Sequence, residues 1–143
     1  MFERILLSIS GSDESKVASE LAVKLAQVHN SQIIALNVVD TSVVRQIARV
    51  TGKSPGEVAV EIEENGWHYL YYADEIAKDN KVRIIVLLEY GLPQDRVINK
   101  AREYNVDLII LSQSTKRGTY GISQDRFLQY VLEQSPCPVL IIK

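Results

Sequence analysis

Short apolar runs alternate along the chain with longer stretches in which apolar residues recur every three or four positions. The first run, residues 5–9, is followed by SGSDES, turn chemistry in which Ser12 is a candidate helix N-cap and the acids fall in the first helical turn. Val17, Ala18, Leu21, Ala22, Leu25 and Val28 then form one helical stripe, with Asn30 as its stop. Residues 32–39 are apolar on both parities, as a strand buried on both faces of a parallel sheet must be. Val43, Val44, Ile47 and Val50 predict a short helix between Thr41 and Gly52. After Pro55 a long helix places Ala59, Ile62, Tyr69, Ala73, Ile76 and Ala77 on one side, and Gly66, about 1 kcal/mol worse than Ala inside a helix, marks a candidate break. Residues 82–90 read as the third strand, 92–104 as a helix with Val97, Ile98 and Ala101 inward, 106–111 as the fourth strand, 123–134 as the last helix and 138–143 as the fifth strand.

This β-α-β-α-β-α-β-α-β alternation implies right-handed crossovers and an open, five-stranded parallel sheet with helices on both faces, an α/β architecture of the Rossmann-like kind. Ligands in such sheets bind beyond the carboxyl ends of the strands, where the strand order reverses. The segment LSQSTKRGTYGISQDR, residues 111–126, lies at that mouth, and its two glycines and three cations suit either a phosphate cradle or a polar surface loop.

At 143 residues the chain is expected to form one domain, 1–143, able to bury a core without staples. A net charge of −2 gives no basic field for nucleic acid. The single cysteine, Cys137, excludes an internal disulfide, and His29 and His68 lie far apart with no cysteine pair, so no metal site is expected. No apolar run approaches the roughly 20 residues of a membrane span, and RILLSI near the start is no signal peptide, so the expected location is cytoplasmic.

Trp67, Tyr69, Tyr71 and Tyr72 crowd one helix but point around its axis, so only some can share a surface. The run EIEEN at 61–65 reads as a solvated helix face rather than a carboxylate site. Asp40 is placed to meet a polar ligand group or to cap a helix. No nucleophile elbow is present, SGSDES lacks the lysine and spacing of a P-loop, and no residue is assigned a catalytic role. Pro136 and Pro138 bracket Cys137 and make the fifth strand an edge. Val139, Leu140, Ile141 and Ile142 leave that edge apolar and unguarded, which predicts pairing with the same strand of a second copy.

In this order and spacing the pieces resemble the universal stress protein (UspA-like) family over essentially the whole chain. ERILLSISGSDESKVASELAVKLAQ is similar to the family's first strand, Gly-Ser turn and helix, and IIALNVVD to its second strand. YGLPQDRVINKAREYNVDLIILS resembles its Gly-x-Pro helix start and Asp-Leu-Ile strand, and SPCPVLIIK its closing strand. The resemblance implies strand order 3-2-1-4-5, a homodimer through strand five, a role in the stress response, and two branches of which one binds ATP. In the ATP-binding branch strand four is followed by Gly-x2-Gly-x9-Gly-(Ser/Thr). Counted back without gaps from Pro138, these positions fall on Ser112, Thr115, Asp125 and Arg126, and none is glycine. The family's acid at the end of strand one falls on Ser10 and its usual proline on Ser8, while Val38 keeps the adenine-contacting type.

A non-glycine residue in a left-handed phosphate loop costs about 1–2 kcal/mol. A carboxylate about 5 Å from a phosphate adds roughly 1–3 kcal/mol of repulsion. Together they would weaken binding about 100-fold to several thousand-fold. The expectation is therefore a homodimer acting through contacts with an unidentified protein partner, with no cofactor. The alternative is ATP or AMP held by a remodelled loop, with Gly118 and Gly121 at Gly-x-x-Gly spacing and Lys116, Arg117 and Arg126 as cations. Its candidate contacts are Ser8, Ser10, Val38, Ser112, Thr115, Gly118, Gly121 and Arg126. A phosphoacceptor receiver domain is excluded because serines replace the acids after strand one and Tyr90-Gly91 follows strand three. The alternation of Ser8, Ser10 and Ser12 likewise lacks the dense phosphate turn of a flavodoxin-like domain.

Overall fold

Strand and helix alternate as the periodicity predicts, in a computed structural model that describes residues 1–112 and 124–143. The elements are β1 (Arg4–Ser8), α1 (Glu14–His29), β2 (Gln32–Asp40), α2 (Thr41–Thr51), α3 (Pro55–Asp79), β3 (Arg83–Gly91), α4 (Pro93–Glu103), β4 (Leu108–Ser112), α5 (Gln124–Gln134) and β5 (Val139–Ile142). The strands form one parallel sheet in the order β3-β2-β1-β4-β5. β1 is central, and Ile5, Leu6 and Leu7 are wholly inaccessible to solvent, as a strand covered on both faces requires.

The period-2 geometry of the strands splits the core in two. Ile5, Leu7, Ile33 and Ala35 pack with α1 and α3, while Leu6, Ile34, Leu36, Ile109 and Leu111 pack with α4 and α5. A smaller cluster of Val39, Val44, Ala48 and Val58 seats α2 at the carboxyl end of β2. Val97, Ile98 and Ala101 of α4 are buried as their spacing predicts.

Two expectations need correction. The stripe assigned to α1 holds at Ala18 and Ala22, and Leu25 packs against the same core, but Val17 is 54% and Val28 78% exposed, while Ser15, Ser19, Val23 and Ala26 are buried in addition. Small side chains let this helix lie close against the sheet, so bulk does not mark its inner face. The helix boundary moves by one residue as well, with Asp13 at the N-cap position and making no side-chain cap bond. In α3 the helix runs through Gly66 without a break. A Cβ at Gly66 would lie 2.2 Å from Asn37 Oδ1 and 3.3 Å from Leu88 Cδ1, so its lack of a side chain is what lets α3 approach β2 and β3.

Candidate functional site

The strand order reverses between β1 and β4, so the mouth of the sheet lies at the carboxyl ends of β1, β2 and β4. Ser8 ends β1 and is paired with Leu36 of β2, two residues before Val38 on the same strand. Val38 is half-buried on the α4 and α5 face. Ser112 ends β4, is 8% exposed and pairs with Ile142 of β5. Ser8, Val38 and Ser112 thus share one end of the sheet. Arg126 is exposed in the first turn of α5. Thr115, Gly118 and Gly121, with Lys116 and Arg117, lie outside the described residues.

Beyond Ser8 the chain turns into α1 through a segment tied to its neighbours. The Ile9 amide donates to the Leu36 carbonyl at 2.8 Å, and Asn37 Nδ2 donates to the Ile9 carbonyl at 2.8 Å. Asn65 Nδ2 of α3 donates to the Gly11 carbonyl at 3.2 Å, and the Tyr69 hydroxyl donates to Asp13 Oδ1 at 3.0 Å. Ser10 is exposed, with its Oγ 2.8 Å from Ser12 Oγ. One wall of the mouth is therefore held by side chains of β2 and α3. Asn37 and Asn65 were not singled out from the sequence, although a lone buried amide within an apolar strand is a legible signal.

Asp40 is committed to the fold. Its Oδ1 accepts from the Ser42 amide at 2.9 Å, the Val43 amide at 3.4 Å and the Ser42 hydroxyl at 2.6 Å, which caps α2.

A charged cluster that periodicity does not reveal stands at the carboxyl end of β3. Glu89, paired in register with Val38, places Oε2 2.8 Å from Lys100 Nζ of α4, and Lys100 also reaches Glu103 Oε2 at 2.7 Å. Hydrogen bonds to Glu103 and then Glu89 raise the Lys100 pKa against the opposing effect of burial. Arg96 Nη1 lies 3.9 Å from Glu89 Oε1, and Glu89 Oε1, Gln94 Oε1 and Arg96 Nε are buried without a hydrogen-bond partner among the described residues. Gly91 makes the turn above this cluster at φ 145°, and a Cβ there would meet Arg96 Nε at 2.9 Å. Only spacing that brings Glu89, Arg96 and Lys100 across a crossover could have flagged the cluster, and β3 and α4 become neighbours only on folding.

Two polar grooves, of about 410 and 220 Å³, open at the other end of the sheet beside Asn30 and Arg83. Among the described residues, no three His, Cys, Asp or Glu side chains gather to hold a metal ion. No helix among them is long and apolar enough to cross a membrane.

Residues 1–143 match the model of the universal stress protein family. The chain is 30% identical to the universal stress protein YxiE of Bacillus subtilis, with full coverage of both chains. It superposes on the solved structure of hypothetical protein MJ0577 with a TM-score of 0.79 at 20% identity, covering 100% of this chain and 96% of that one. A universal stress protein of Archaeoglobus fulgidus solved in complex with dAMP gives a TM-score of 0.69 at 16% identity, covering 99% and 98%.

Proposed function

The chain belongs to the universal stress protein family, and from that premise we propose that it is a homodimer acting in the stress response through protein contacts, without ATP bound by the family's standard motif. The observation that carries this reading is Ser112. It occupies the first glycine position of that motif, yet it ends β4 as a paired strand residue. Asn30, Lys81 and Asn105 are the non-glycine residues with positive φ among those described, so Ser112 does not supply the left-handed turn that a phosphate loop draws from glycine. The motif's third glycine position falls, by the gapless count, on Asp125, so the sequence carries an acid there in place of glycine.

The dimer reading rests on β5. It is a sheet edge, its four residues are half-buried, and Leu140 and Ile142 pack on one core while Val139 and Ile141 pack on the other. A second β5 would cover both sets. A nucleotide-binding alternative draws support from the dAMP complex of the Archaeoglobus fulgidus neighbour. In that reading Ser8, Ser10, Val38 and Ser112 line the mouth, and Thr115, Gly118, Gly121 and Arg126 receive the phosphates.

Thermal shift with ATP or dAMP and magnesium separates the two readings. No saturable rise in Tm at millimolar nucleotide is expected, and a rise lost in a Val38→Trp variant would establish the alternative. Light scattering tests the assembly: at one fixed concentration Ile141→Lys should lower the mass below that of the unaltered chain, and an unchanged mass would remove the β5 interface.

A further inference from the structure

β3 is the other edge of the sheet, and among the described residues no strand pairs with its outer side. From Arg83 to Glu89 it reads Arg-Ile-Ile-Val-Leu-Leu-Glu, five apolar residues between a cation and an anion, and all five are only half-buried. No proline or glycine interrupts this stretch, so nothing within it blunts strand pairing. The neighbouring flank of α3 is apolar too. Asn65, Tyr69 and Tyr72 bond to α1 or to the turn before it, which assigns them to one side of α3. Glu63 accepts from Tyr90 of β3 and so marks the other side. One and two turns on from Glu63, Trp67 and Tyr71 stack at 5.4 Å, and Tyr71 is 60% exposed.

We propose that this edge is a second self-association surface, on which β3 of another copy pairs antiparallel about a two-fold axis at Val86. The interface is separate from the β5 edge and does not depend on it. In this register Val86 faces Val86, Ile85 faces Leu87, and Arg83 faces Glu89 at both ends. Opposed residues share a face, so each Arg83 guanidinium approaches the partly exposed Glu89 carboxylate, which within its own chain also lies beside Lys100 and Arg96. Parallel pairing in register would instead oppose Arg83 to Arg83 and Glu89 to Glu89. The axis runs perpendicular to the sheet, so the α3 helices of both copies lie on the same face and their Trp67–Tyr71 stacks approach each other. Seven paired residues span about 20–25 Å of strand, and the flanking helices add to the buried area.

Disulfide trapping tests the register. In a Cys137→Ser background, Val86→Cys should cross-link to itself under mild oxidation, because opposed antiparallel residues lie about 4.5–5.5 Å apart at Cα. Ile85→Cys should not cross-link to itself but should do so when mixed with Leu87→Cys. Sedimentation velocity of Ile141→Lys over a range of concentrations isolates β3 from β5. A concentration-dependent dimer is expected, and adding Arg83→Glu, which opposes two acids, should weaken it at least tenfold while circular dichroism and Tm stay unchanged. Absence of the Val86→Cys dimer, or equal association with and without Arg83→Glu, would overturn the proposal. Monomer at every concentration for Ile141→Lys would sink it while leaving β5 pairing intact; assembly lost with Arg83→Glu but not with Ile141→Lys would sink β5 pairing instead.

Discussion

Gly66 illustrates how one residue can reverse its expected energetics. Helix propensity favours alanine over glycine by about 1 kcal/mol, yet a Cβ at Gly66 collides with Asn37, which is itself fixed by its bond to the Ile9 carbonyl. Gly66→Ala should therefore destabilise the protein by about 1–3 kcal/mol, read as a lower urea midpoint. Gly56→Ala, where an added Cβ meets nothing within 4 Å, should be neutral or slightly stabilising. Three tyrosines make a second prediction. The pKa of Tyr69 is raised by burial and by its bond to Asp13, and those of Tyr72 and Tyr90 chiefly by bonds to Glu20 and Glu63. A raised folded-state pKa means the native form holds protons that the unfolded form releases. This contribution is complete below the unfolded tyrosine pKa of about 10 and is lost as pH rises through the folded value. The raised Lys100 pKa acts in the same direction. Tm should fall above pH 10, and the triple variant Tyr69→Phe, Tyr72→Phe, Tyr90→Phe should fall less steeply. Equal slopes would contradict the assignment.

Among the elements, those with large residues facing the sheet were legible and those with small ones were not. α4 buries Val97, Ile98 and Ala101, a stripe that periodicity alone identifies. In α1 the inner face is Ser15, Ala18, Ser19, Ala22, Val23 and Ala26, small residues apart from Val23, and Val17 and Val28 face water. A hydrophobic scale ranks valine above serine and so favours Val17 and Val28 over Ser15 and Ser19, because it does not register where a helix packed close to a sheet needs small side chains. Ala22→Leu should accordingly cost about 1–3 kcal/mol by overpacking, whereas Val28→Lys should change the denaturation midpoint little. Caps were easier to read: Asn30 and Gly52 end α1 and α2 in left-handed geometry, at φ 55° and 74°, and each donates its amide back to the helix.

For the whole molecule, the sheet order sets a gradient of protection. β1, β2 and β4 are interior strands, while β3 and β5 are edges. Hydrogen exchange should be slowest at Leu6, Ile34 and Ile110, each fully buried, and faster along β5. Self-pairing would make β5 protection rise with protein concentration, and Ile141→Lys should abolish that rise. Concentration-independent exchange in β5 would argue against an assembly through that edge.

The sequence by itself determined the class of fold, the positions of most strands and helices and the apolar β5 edge. Each is a property of local spacing or residue type, and one-dimensional order preserves it. Tertiary structure alone decided that α1 turns Ser15, Ser19, Val23 and Ala26 inward beside Ala18 and Ala22, that Gly66 makes room for Asn37, and that Glu89 stands beside Val38 within reach of Lys100. These follow from contacts between residues far apart in the chain, whose geometry exists only once the crossovers have laid helices on the sheet.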